Sequence, residues 1–140
     1  MNTKHQTIRF ETRKENDIVR IDQKIHELLD ELVPNGSGIV TVFCPGSTGS
    51  ISTIEYEPGL IEDFPIILNK LIPKNNEYQH NSLNYDDNGH SHIRSTIIGP
   101  SLTIPFVQGR LTLGTWQQII FLEFDTRGRS RRLEVMIIGD

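Results

Sequence analysis

The last forty residues, from Ser101 onward, hold four apolar segments separated only by short turns. "SLTIPFV", "GRLTLGTW", "QQIIFLEFD" and "SRRLEVMIIGD" read as β segments. Gln108-Gly109, a bend near Gly114 and "TRGR" link them. So many short strands suit a mostly antiparallel sheet. An antiparallel sheet is therefore the frame on which the rest of the chain must pack.

Upstream, "HQTIRFETR" and "NDIVRID" read as two strands with "KEN" as their turn. Asp22 is placed to cap a helix. Ile25, Leu28, Leu29, Leu32 and Val33 then fall on one helical face, and Pro34-Asn35-Gly36 stops it. "SGIVTVFCPG" reads as a buried strand, and "GSISTIEYE" as its neighbour through "PGST". In "PGLIEDFPIILNKLIP", Leu60, Phe64, Ile67, Leu68 and Leu71 recur at helical spacing, with Pro65 either starting or kinking the helix. Residues 74–90 are polar, lack periodicity and read as a long irregular loop. The expectation is one α+β domain over 1–140, a mostly antiparallel β sandwich with two main helices. So many apolar strands for so few helices imply that some faces are buried between subunits.

Composition narrows the partners. The formal net charge of −4 offers no chain-wide attraction for nucleic acid or an anionic membrane. No apolar run approaches the ~20 residues that cross a bilayer. Cys44 is the only cysteine, so an intrachain disulfide is excluded. With no apolar signal core in "MNTKHQTIRFETRKEN", a cytoplasmic location is expected.

Chemistry points to "NGHSHIRSTIIGPS", residues 88–101. His90 and His92 share a face only if the backbone there is extended, since two residues of helix turn the side chains about 200° apart. His80 lies ten residues before His90 and makes a third donor. Three imidazoles with an open position form a catalytic type of zinc site. The alternative is a chance His-x-His on an exposed loop. Asp86 and Asp87 lie between these histidines, as partners that orient an imidazole or as a solvated turn. Glu55 is a candidate general base on a strand, and Glu123 needs a partner if it is buried. Arg94 and Arg110, near Gly-containing turns, are candidates to grip a phosphate. "PGSTGS" reads as a hairpin turn and lacks the lysine of a P-loop. Arg127, Arg129, Arg131 and Arg132 read as a turn and a solvated strand face, Trp116 as core, and His5 and His26 as exposed residues without a role.

Read together, "NGHSHIRSTIIGPSLTIPFVQGRLTLGTWQQIIFLEFD", "STIEYEPGL", "EYQH" and "RSRRLEVMIIG" closely resemble the signature of the YjbQ-like family, also described as secondary thiamine-phosphate synthases. The resemblance implies a small α+β sandwich assembling as a homotrimer, with a histidine site for a divalent metal. It also implies joining a pyrimidine pyrophosphate to a thiazole phosphate, giving thiamine phosphate and pyrophosphate. His80, His92 and Glu55 match motif positions, and His90 matches a position that varies. Three imidazoles favour zinc over magnesium. A metal-dependent hydrolase of a small phosphorylated or carbonyl compound, and a non-catalytic trimeric metal-binding protein, are the alternative expectations. Many members carry His-Thr-Thr-Ala where this chain reads "GSTGS", so one histidine of the pattern is missing near Gly46–Ser47.

Overall fold

The computed structural model describes residues 2–140. The order is β1 (Thr3–Glu11), β2 (Ile18–Arg20), α1 (Asp22–Leu32), β3 (Gly38–Phe43), β4 (Gly49–Ile54), α2 (Pro58–Leu71), α3 (Gln79–Asn84), α4 (Gly89–Ile98), β5 (Ser101–Val107), β6 (Arg110–Leu111), β7 (Gln118–Glu123) and β8 (Ser130–Gly139). The strands form a five-stranded sheet, β1-β8-β3-β5-β6, and a three-stranded sheet, β2-β7-β4. Neighbours pair antiparallel throughout, for example Val40 with Ile137 and Ile51 with Phe121. The α+β class and the antiparallel sheets thus match the sequence reading, but β1 and β2, and β3 and β4, lie in different sheets rather than as neighbours, and of the last four strands only β5 and β6 pair with each other. No helix is long and apolar enough to cross a membrane.

β7 shows why the layers stack as they do. Ile119 and Phe121 point one way, into a core with Val40, Val42, Leu133, Val135 and Ile137 of the five-stranded sheet and Ile25 and Leu29 of α1. Ile120, Leu122 and Phe124 point the other way, against Leu68, Phe64 and Ile98 of α2 and α4. The small sheet is therefore buried on both faces. The outer face of the large sheet carries no layer of its own and leaves Ile39, Phe43, Val107 and Met136 exposed.

Four local expectations change. Asp22 does not cap α1. Ile21 occupies that position, and the Asp22 carboxylate receives both Arg20 Nε (2.7 Å) and Arg20 Nη2 (3.1 Å). α2 runs through Pro65 after starting at Pro58, with the Glu57 carboxylate accepting from the Gly59 and Leu60 N–H groups. The stretch 74–90 is not one irregular loop, because α3 forms inside it and α4 begins at Gly89. The helices thus number four rather than two. Trp116 is not core: it lies in the connection before β7 and is 71% exposed.

Candidate functional site

The site is built where α3 folds back on α4. Tyr85 ends α3 in a left-handed conformation (φ 52°), turning the chain towards Asn88. The Asn81 side chain then accepts the Gly89 N–H at 2.9 Å and ties the two helices together. Gly89 is needed there, because a Cβ would lie 2.6 Å from the Tyr78 Cβ. This docking brings the His80 and His92 rings into tilted contact, with centroids 4.5 Å apart and planes inclined at 54°. Both rings are half-buried. His80 Nε2 lies 3.3 Å from Asp86 Oδ2. With its nitrogen turned to this side, the Asn88 amide donates to His80 Nε2 (2.9 Å) and to Asp86 Oδ2 (3.1 Å). Turned the other way, the same nitrogen reaches Asp125 Oδ1 at 3.4 Å.

Behind this pair runs a buried polar network at the open end of the sandwich. Asp125 receives Arg129 Nη1 (2.9 Å), the Thr126 N–H (2.8 Å) and the Thr48 hydroxyl (3.4 Å). Glu123, fully buried, is held by Arg131 in a fork, by the Thr12 hydroxyl (2.7 Å) and by the Asp125 N–H (3.1 Å). Arg131 also donates to the Thr48 hydroxyl at 3.0 Å. Burial opposes the charge on Asp125, yet the Thr126 N–H, the Asn88 amide and the Arg129 and Arg131 guanidiniums outweigh it, and its carboxyl sits below the usual carboxylate range. The Asp87 N–H holds the Asp86 carboxyl down against a smaller effect of desolvation, helped by His80.

A fold of two stacked antiparallel sheets, with a histidine pair at the α3–α4 junction, has clear relatives. The profile described as UPF0047 protein YjbQ-like matches residues 6–140. The chain belongs to this family. A UPF0047 protein of Archaeoglobus fulgidus is 36% identical over 90% of this chain and 94% of its own length. The UPF0047 protein YugU of Bacillus subtilis is 28% identical over 95% of this chain and 98% of its own. Among solved structures, a YbjQ-like protein of unknown function from Sulfolobus solfataricus superposes with a TM-score of 0.87 at 27% identity, covering 99% of this chain and 100% of that one. A hypothetical protein of Aeropyrum pernix gives 0.84 at 34% identity, covering 96% and 99%.

On this YjbQ-like scaffold the expected three-histidine set is not gathered within one chain. Residues 90–92 are helical, so His90 leaves the site on the opposite side of α4 from His92. It is fully buried, with Nε2 2.6 Å from Glu15 Oε1 and Nδ1 unpartnered. Among the described residues, no group of three or more His, Cys, Asp and Glu side chains gathers for a metal ion. Arg94, one helical turn after His90, is also buried. It donates to the Ile72 carbonyl and to the Asn69 and Asn16 side chains, so it clamps loops together and has no fork left for a phosphate. Glu55 lies just beyond β4 and is exposed. α4 runs in the same direction as β4, with Ser95 against Gly49 and Gly99 against Ile51, which puts the histidines at the Thr48 end. Seven extended residues, roughly 23 Å, separate Thr48 from Glu55. Arg110 sits on β6, on the far side of the small sheet.

The arginine cluster divides. Arg131 is buried as the partner that Glu123 needs, Arg129 stands half-exposed on Asp125, and Arg127 and Arg132 are exposed. Asn88, Asp125, Thr48 and Arg129 join the site without having been singled out for it. "PGSTGS" is not a hairpin turn, since it carries the chain from one sheet to the other, and it brings Thr48 to Asp125 and to Arg131, the partner of Glu123. Gly46, in this segment, adopts φ +113°, a conformation that a side chain enters only under strain.

Proposed function

We propose that the His80–His92 pair with Asp86 forms the protein part of a divalent-metal site acting on a small phosphorylated molecule, the chemistry implied for secondary thiamine-phosphate synthases. The observation that carries this reading is the ring pair itself: two half-exposed imidazoles in contact, with a carboxylate 3.3 Å from one of them. No three such side chains converge within one chain, so an ion at the His80–His92 pair would take its remaining ligands from Asp86 after a shift or from a second copy. Such an ion supplies charge stabilisation for a phosphate or a departing pyrophosphate. The chain's own residues do the rest. Asn88 and Asp86 both lie within reach of His80 Nε2 and hold the orientation of that ring. Asp125 anchors Arg129, which stands half-exposed as the nearby cation, the part first assigned to Arg94 and Arg110. The overall exchange breaks the carbon–oxygen bond to pyrophosphate on the pyrimidine and forms a bond from that carbon to the thiazole nitrogen.

The same donor set also suits a zinc-bound hydroxide, and hydrolysis of a small phosphorylated or carbonyl compound is the second reading. Both rest on metal bound at this pair. Elemental analysis of purified wild type beside His92→Ala tests it. Stoichiometric metal in the wild type and its loss in the variant are expected. Equal content in both sinks the site. Incubation with the two thiamine precursors, against His80→Ala, separates the two readings: thiamine phosphate above the control supports transfer, and none leaves hydrolysis to be assayed.

A further inference from the structure

Arg110, left out of the histidine site, lines a cleft of its own. The cleft measures about 730 Å³ and opens between the end of α1 and the β5–β6 hairpin. That volume falls within the range of small-molecule sites. It lies on the α1 side of the small sheet, while α3 and α4 carry the histidines on the other side. His26 and Asp30, one helical turn apart on α1, face Arg110 across it, with the amides of Asn35 and Gln108 at its rim.

The walls are bolted together. Val107 pairs with Arg110 across a two-residue turn in which Gln108 (φ 51°) and Gly109 (φ 78°) are both left-handed. A Cβ on Gly109 would lie 2.1 Å from the Pro34 carbonyl oxygen, so glycine is obligatory. The Gly109 N–H donates to the Gly36 carbonyl (2.8 Å), and the Gln108 N–H to the Ser37 hydroxyl (3.1 Å). Gln108 accepts a strained backbone where asparagine or glycine is favoured, and so presents a longer amide at the rim. Within this fixed frame, Arg110, His26 and Asp30 make no ion pair or hydrogen bond with other side chains among the described residues. A guanidinium, an imidazole and two amides converge as donors, and Asp30 adds one acceptor.

We propose that this cleft is a second binding site, for a small anion whose phosphate or carboxylate is gripped by the Arg110 fork, with a hydroxyl or amine arm reaching Asp30. It is independent of the reading of the histidine pair. The test is a ¹⁵N-resolved NMR titration of the whole protein with inorganic phosphate and, separately, acetate, against chloride at matched ionic strength. Saturable shifts gathered at His26, Gln108 and Gly109 are expected with at least one of the two anions, and their ratio tells phosphate from carboxylate. Arg110→Gln should weaken binding roughly tenfold or more, with Arg110→Lys recovering part of it. Arg110 is exposed, so both variants should keep the wild-type melting point. Shifts no larger than with chloride, shifts confined to His80 and His92, or Arg110→Gln binding like wild type would each overturn the proposal.

Discussion

At the residue scale, Arg131 and Glu123 show how strand parity decides the fate of a charge. Arg131 shares its face of β8 with Leu133, Val135 and Ile137, and Glu123 shares its face of β7 with Ile119 and Phe121. Both must point between the sheets, and each is tolerable there only because of the other. Replacing Arg131 with methionine leaves Glu123 charged and buried, at a cost of about 3–5 kcal/mol. Denaturant unfolding should show that loss, and Glu123→Gln added to Arg131→Met should recover part of it. No recovery would mean that the two do not act as a pair. Asp125 makes a pH prediction. Its carboxyl is depressed in the folded state, so its contribution is complete above the ordinary carboxylate value near 4 and is lost as pH falls through the lower folded value. Melting curves between neutral pH and about pH 3 should therefore fall less steeply for Asp125→Asn than for wild type. Parallel curves would refute the linkage. The parity of Arg131 was available in the sequence, but its neighbours Arg127, Arg129 and Arg132 made the whole cluster look solvated.

At the element scale, the junction of α3 with α4 decides which histidines meet. The "NGH" start allowed an extended segment in which His90 and His92 would converge. The segment is helical instead, so His92 keeps His80 as its neighbour and His90 goes to Glu15. That switch follows from contacts far along the chain. Gly89 lies against Tyr78, and Arg94 ties the helix to Ile72, Asn69 and Asn16. Periodicity in a short polar stretch carries no trace of them. Gly89→Ala should force this junction apart at about 1–3 kcal/mol, with the variant still folded. The decisive readout is the contact between the His80 and His92 rings, seen as NMR cross-peaks. They should weaken in Gly89→Ala, and their persistence at full strength would show that the junction does not position the pair.

At the scale of the whole molecule, the surface is more apolar than one chain needs. The outer face of the large sheet exposes Ile39, Phe43, Val107 and Met136 around the Thr41–Thr103 hydroxyl pair. The apolar stripe of α2 is buried mainly at Leu68, with Ile67 and Leu71 outside. Contiguous faces of this kind are usually covered by protein. The homotrimer implied by the family resemblance is the expected cover, so the protein should sediment at three times its 16.0 kDa chain mass. Ile39→Lys with Phe43→Lys should reduce that mass while keeping the circular dichroism spectrum. A wild type that sediments as a single chain would leave the apolar face unexplained by self-assembly.

The sequence by itself determined the α+β class, the mostly antiparallel character of the strands, the amphipathic first helix and the family. These depend on periodicity and motifs that lie within single segments, whereas which strands become neighbours does not. Only the tertiary structure decided that His80 joins His92 without His90, that Asp125 and Arg131 back the site, that Glu55 and Arg94 stand outside it, and that Arg110 faces a separate cleft. Those outcomes depend on side chains brought together from distant parts of the chain, and no pattern along one segment encodes which face meets which partner.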